Sequence, residues 1–128
     1  MAEKSKLQLE YIINCSPKVL FNRLSTASGL SEWFADDVRV KGNLFTFVWE
    51  DTDQVAEKKN HRENKMVRFE WTENEDKEEN YFEFVIAQDD LTNDVSLLVT
   101  DFADEDEAES TTDLWNTQIT KLKQLLGS

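Results

Sequence analysis

Hydrophobic and polar residues alternate from Lys6 to Ile13. Leu7, Leu9, Tyr11 and Ile13 fall on one face, and Lys6, Gln8 and Glu10 on the other. A period of two predicts a half-buried strand. Ser16-Pro17 then breaks the alternation. Ser16 suits a helix N-cap, and Pro17 suits the first helical position, where its missing N–H is no loss. The helix predicted there carries Val19, Leu20, Phe21 and Leu24 and stops near Ser25-Thr26. Ser28-Gly29 restarts the chain, and a short second helix is predicted from Leu30 to Ala35.

A long β region follows. VRV (38–40) and LFTFVW (44–49) flank Lys41-Gly42-Asn43, a hairpin-turn sequence. Phe45, Phe47 and Trp49 share one face. Residues 53–63 are polar and weakly patterned, and predict an exposed strand. In MVRFEW (66–71), Val67, Phe69 and Trp71 face one way, and Arg68 and Glu70 the other. TENEDKEEN (72–80) predicts a charged turn. YFEFVIA (81–87) and VSLLVT (95–100) predict two further strands joined by QDDLTND.

The last segment changes period. Leu114, Trp115, Ile119, Leu122, Leu125 and Leu126 recur at helical spacing. This predicts an amphipathic helix of about four turns or more. Acidic residues before it and Lys121 and Lys123 within it both suit the helix dipole. Gly127 stands where a C-cap glycine belongs. The six apolar side chains are expected to dock the helix on the sheet. Strands in a run with helices segregated predict an α+β domain, with an antiparallel sheet of about six or seven strands covered by the last helix.

Composition narrows the classes. A chain of 128 residues is expected to form a single domain, 1–128. The formal charge of −13 and the lack of a basic stripe exclude a nucleic-acid footprint. The same charge disfavours anionic membranes, and no stretch approaches a spanning helix. MAEKSKLQLEYIIN has neither a long apolar run nor a small-residue cleavage site, so a cytoplasmic protein is expected. The charge is also compatible with docking to a basic protein partner.

Two stretches, SPKVLFNRLSTASGLSEWFADDV (16–38) and LWNTQITKLKQLL (114–126), carry a family resemblance. With the element order, they resemble the START-like (helix-grip, SRPBCC) superfamily, and within it the bacterial branch named after the activator of the heat-shock protein 90 ATPase. The resemblance implies a curved sheet gripping the C-terminal helix, with a cavity of variable size between them. Relatives include binders of apolar molecules, enzymes and chaperone regulators, so fold alone does not choose a function.

Few residues offer chemistry. His61 lies in the polar stretch KKNHRE without partners at ligand spacing, and is expected on the surface. Cys15 is the single cysteine, which excludes an intrachain disulfide, and is expected to be a buried, inert thiol. The acidic run Asp101, Asp104, Glu105, Asp106, Glu107 and Glu109 lacks the glycine and final glutamate of a calcium loop. It is expected to be a solvated turn and helix start. Asp36 and Asp37 point to opposite faces if extended, and are expected to lead into a strand rather than form an acid/base pair. No metal site, cofactor or catalytic residue is predicted.

The aromatic residues are the informative set. Trp33, Phe34, Phe47, Trp49, Phe69, Trp71, Phe84 and Trp115 are expected to face the space between sheet and helix. Ile119 joins them, and Tyr11 and Gln118 are candidate polar handles. Two readings stay open. The rings fill the interior, or they line a pocket for a small apolar ligand. In GLSEWFADDV (29–38) the segment is expected to close one end of the grip, with one ring anchoring it and the other facing the cavity mouth.

The function expected first is therefore a small hydrophobic-ligand binding module without catalysis. A protein-interaction or chaperone-cofactor domain is the alternative, and a small-molecule enzyme a third. Oligomeric state stays open. Residues 53–63 at a sheet edge could pair with a second copy, but their lysines and glutamates oppose it.

Overall fold

The computed structural model describes residues 4–50, 52–72 and 81–127. The alternating N-terminal segment forms β1 (Lys4–Ile12). Helix α1 (Pro17–Ser25) starts where the cap residues place it, with the Val19 N–H donating to Ser16 Oγ at 3.3 Å. Next come α2 (Ala27–Leu30), β2 (Asp37–Lys41), β3 (Leu44–Trp49) and β4 (Thr52–Arg62). Strands β5 (Met66–Trp71), β6 (Tyr81–Gln88) and β7 (Val95–Asp104) follow, then a 3₁₀ turn (Glu105–Glu107) and α3 (Ala108–Leu126).

The seven strands form one antiparallel sheet in the order β1-β7-β6-β5-β4-β3-β2. The chain meanders from β2 to β7, and β1 closes beside β7, with Lys4 opposite Asp104 and Ile12 opposite Ser96. Inward positions follow the period of two. Phe45, Phe47, Val67, Phe69, Phe82, Phe84, Leu97 and Val99 are all buried. Helix α3 covers this face with Trp115, Ile119 and Leu122. Burying three such side chains stabilises the docking by roughly 1.5–3 kcal/mol each.

Four expectations are corrected. The strand over 53–63 is not a sheet edge. β4 pairs with β3 and β5, and the edges are β1 and β2. Its weak pattern reflects a register shift between Lys59 and Arg62, with Asn60 at φ 42°. The second helix begins earlier and is shorter, because Thr26 caps it by accepting the Gly29 N–H at 3.0 Å. Trp33 and Phe34 lie in the turns after it, with the Phe34 N–H donating to Leu30 O at 2.8 Å. Of the six apolar residues on α3, Leu114 and Leu125 are exposed, at 58% and 43%. The last strand runs four residues beyond Thr100 and takes in Asp101. Beyond Thr72, the segment expected as a charged turn (72–80) lies outside the described residues.

The caps at the far end agree with the pattern. Gly127 adopts φ 70° and closes α3 through its N–H to Gln124 O. Among the described residues, no helix is long and apolar enough to cross a membrane.

Candidate functional site

The interior is largely filled. Phe47, Phe69, Phe82 and Phe84 are essentially inaccessible. Phe69 stacks on Phe82 at 5.1 Å, and Phe47 meets Phe69 edge-on at 5.7 Å. Of the expected cavity residues, Phe47, Phe69, Phe84 and Ile119 are therefore core, lining none of the described clefts. Tyr11 also stands apart. Its hydroxyl donates to Asn116 Oδ1 at 2.7 Å, and burial raises its pKa above the usual 10.0.

Space remains at one end of the grip. A cleft of about 390 Å³ opens between the sheet and the first half of α3. From the sheet come Trp49, Thr52, Gln54, Trp71, Phe82 and Asp101. From α3 come Thr111, Leu114, Trp115 and Gln118, and Phe34 lies between the two layers. Five aromatic rings thus meet in one concavity. Trp49 and Trp71 are half-buried, whereas Phe34 and Trp115 are 5% and 4% exposed.

Phe34 is the centre of this arrangement. Its ring stacks on Phe82 at 5.2 Å and Trp115 at 5.6 Å, and meets Phe47 and Trp49 edge-on. Its carbonyl accepts two side-chain donors, Trp49 Nε1 at 3.1 Å and Gln118 Nε2 at 3.0 Å. Those three residues also line a second cleft of about 520 Å³, with Trp33, Asp36 and Lys121. The Phe34 carbonyl and its two donors therefore stand where the clefts adjoin. Trp33 does the anchoring. Its Nε1 donates to Arg23 O at 2.9 Å, and Arg23 forms an ion pair with Glu32.

Asp101 is the charged residue among the described lining of the first cleft. Its Oδ2 accepts the Trp115 Nε1–H at 2.8 Å, and its Oδ1 accepts the Phe102 N–H at 2.8 Å. Asp101 was expected in a solvated turn. It is half-buried because β7 continues, and it has the parity of Val95, Leu97 and Val99. The same parity rule was the available signal for Phe82, two residues before Phe84.

The other candidates stay outside. His61 is exposed, edge-on to Phe21 at 5.1 Å. Cys15 is half-buried. Burial raises its pKa above 9.0, partly opposed by the Leu20 N–H. Asp36 and Asp37 are both exposed, and Asp37 opens β2. Among the described residues, no group of three or more His, Cys, Asp or Glu is arranged to hold a metal.

Comparison with known proteins gives a consistent family. The family model for START-like superfamily domains matches residues 1–128. No curated protein matches. A Bacteroides fragilis protein solved by NMR is 36% identical, over 98% of this chain and 93% of that one, with a TM-score of 0.68. The Aha1 dimer from Colwellia psychrerythraea is 18% identical, over 93% of each chain, with a TM-score of 0.74. A Mesorhizobium loti protein is 18% identical, over 96% of this chain and 97% of that one, with a TM-score of 0.75. The last two likenesses concern the fold alone.

Proposed function

The chain belongs to the START-like superfamily, and from that premise we propose that it is a binding module for a small apolar molecule, held in the cleft beside Trp115 without catalysis. The observation that carries this reading is the convergence of Phe34, Trp49, Trp71, Phe82 and Trp115 on one concavity of about 390 Å³. A few placed polar groups in an apolar cleft are the usual make-up of a small-molecule site. Gln54, Gln118 and Asp101 supply them here.

Tryptophan fluorescence tests the proposal. Flavonoids, small aromatic alcohols and medium-chain fatty acids form a suitable panel. Saturable changes with at least one class are expected. A flat response to all of them would remove the reading.

A second reading is a protein-interaction domain for a basic partner. The formal charge of −13 favours it, as does the likeness to a protein described as a dimer, the Aha1 of Colwellia psychrerythraea. Sedimentation at low and moderate salt, alone and with cell lysate fractions, tests it. A salt-sensitive complex is expected. A chain that sediments as an unaccompanied monomer throughout contradicts it.

A further inference from the structure

We propose that the chain pairs with a second copy of itself through the free edge of β1, an inference independent of the cleft. β1 is an edge strand, bonded to β7 on one side only. The Ile13 N–H donates to Val95 O at 2.9 Å, continuing the β1–β7 register. Backbone groups alternate sides along a strand. The odd-numbered residues of β1 therefore turn their N–H and C=O toward β7, and Lys6, Gln8, Glu10 and Ile12 turn theirs to the open edge. Such an edge is a template for another strand. Lys6, Gln8 and Glu10 are exposed, and Leu7 and Leu9 are only half-buried.

The strand's own sequence selects the partner. Lys4–Ile12 is centred on Gln8. Two copies paired antiparallel about a two-fold axis at Gln8 set Lys6 of one opposite Glu10 of the other, twice, and Leu7 opposite Leu9, twice. Opposite charges and apolar side chains directly across a strand pair both stabilise it. The two Gln8 side chains meet at the axis, and each amide offers both a donor and an acceptor. Within one copy Lys6 and Glu10 are about 13 Å apart along the strand, too far to pair with each other. On β7 they stand opposite Phe102 and Leu98. Among the described residues neither belongs to an ion pair. A charged edge discourages strands that lack the matching charges. This register also joins the hydrogen-bonding residues of one edge to those of the other, and keeps both α3 helices on the same face of a continuous sheet. The other edge, β2, fits itself less well, because the same symmetry about its centre sets Arg39 against Arg39. A contact of this kind closes at two copies.

The test is made on the whole chain at moderate salt, which screens the repulsion between two copies of charge −13. One strand pair is a small interface, so a dimer half-formed at about 100 μM is expected in sedimentation equilibrium. Amide hydrogen exchange locates the contact. The Lys6, Gln8 and Glu10 N–H groups are expected to exchange slowly at high concentration and fast at low, with Leu7 and Leu9 slow at both. Lys6→Glu and Glu10→Lys are each expected to weaken the dimer about tenfold or more, because each turns two attractive pairs into two repulsive ones. Both side chains are exposed, so neither change disturbs the core. Mixing the two variants in equal amounts restores opposite charges at both pairs and is expected to return the affinity to that of the unmodified chain. The double variant Lys6→Glu/Glu10→Lys is expected to do the same. A chain that stays monomeric up to about 1 mM overturns the proposal. So does a dimer whose Lys6, Gln8 and Glu10 amides exchange as they do in the monomer. A dimer through β1 that the single variants leave unweakened, or that mixing does not restore, overturns the pairing about Gln8.

Discussion

The Trp115 indole N–H donates to Asp101 Oδ2 at 2.8 Å, joining the long helix to the last strand through side chains at the edge of the aromatic cleft. Trp115 is 4% exposed. Removing the acceptor leaves a nearly buried donor without this partner. Asp101→Ala is expected to lower the unfolding free energy by about 1–3 kcal/mol. Asp101→Asn, which still offers an oxygen, is expected to lower it less. Urea unfolding of both variants checks the order, and an equal loss in the two would contradict it.

Phe34 touches rings on the sheet and on α3 at once, and its backbone carbonyl holds Trp49 and Gln118. Phe34→Ala is expected to cost about 3–5 kcal/mol, the range for deleting a buried aromatic side chain. Phe34→Leu retains part of the volume and is expected to cost less. Denaturant midpoints at fixed m-value report both.

Gly29 sits where α2 turns against the end of α1. A Cβ added there would stand 2.5 Å from Asn22 O and 2.7 Å from Arg23 Cα. Both are backbone atoms, so the two helices must separate. Gly29→Ala is expected to destabilise by about 1–3 kcal/mol, measured by thermal unfolding. A gain in stability, as expected from chain entropy alone, would contradict the close approach.

Much of this was legible beforehand, and the limits have physical causes. The period of two placed Phe47, Phe69 and Phe84 on the inner face, and the Ser16-Pro17 cap and Gly127 placed their helix ends. Pattern does not tell a filled position from a lining one. Phe47 and Trp49 alternate identically, yet Phe47 is sealed among rings while Trp49 lies at the end of β3 beside open space. Asp101 escaped because its acidic neighbours read as a turn, although its parity with Val99 marked it as inward. β4 escaped as an inner strand because its inward positions at one end, Thr52 and Gln54, are polar where they meet the cleft.

Tyr11 contributes to the loss of stability at alkaline pH. Burial raises its pKa in the folded chain above the 10.0 of an ordinary tyrosine. The folded state therefore holds this proton more tightly than the unfolded state. The contribution is complete below pH 10 and is lost as pH rises through the folded pKa. Tyr11→Phe is expected to reduce this alkaline loss, seen by comparing urea unfolding at pH 8 and pH 11. Identical pH dependence in the two chains would contradict it.

The central claim is that the space beside Trp115 takes a small molecule, and the four tryptophans allow it to be read directly. Trp49, Trp71 and Trp115 line the cleft, whereas Trp33 lies outside it with its N–H on Arg23 O. The measurement is the shift of the four indole N–H signals as 3-phenylpropan-1-ol is added to ¹⁵N-labelled protein. Saturable movement of the Trp49, Trp71 and Trp115 signals with Trp33 nearly still is the predicted result. No movement, or equal movement of all four, would contradict it.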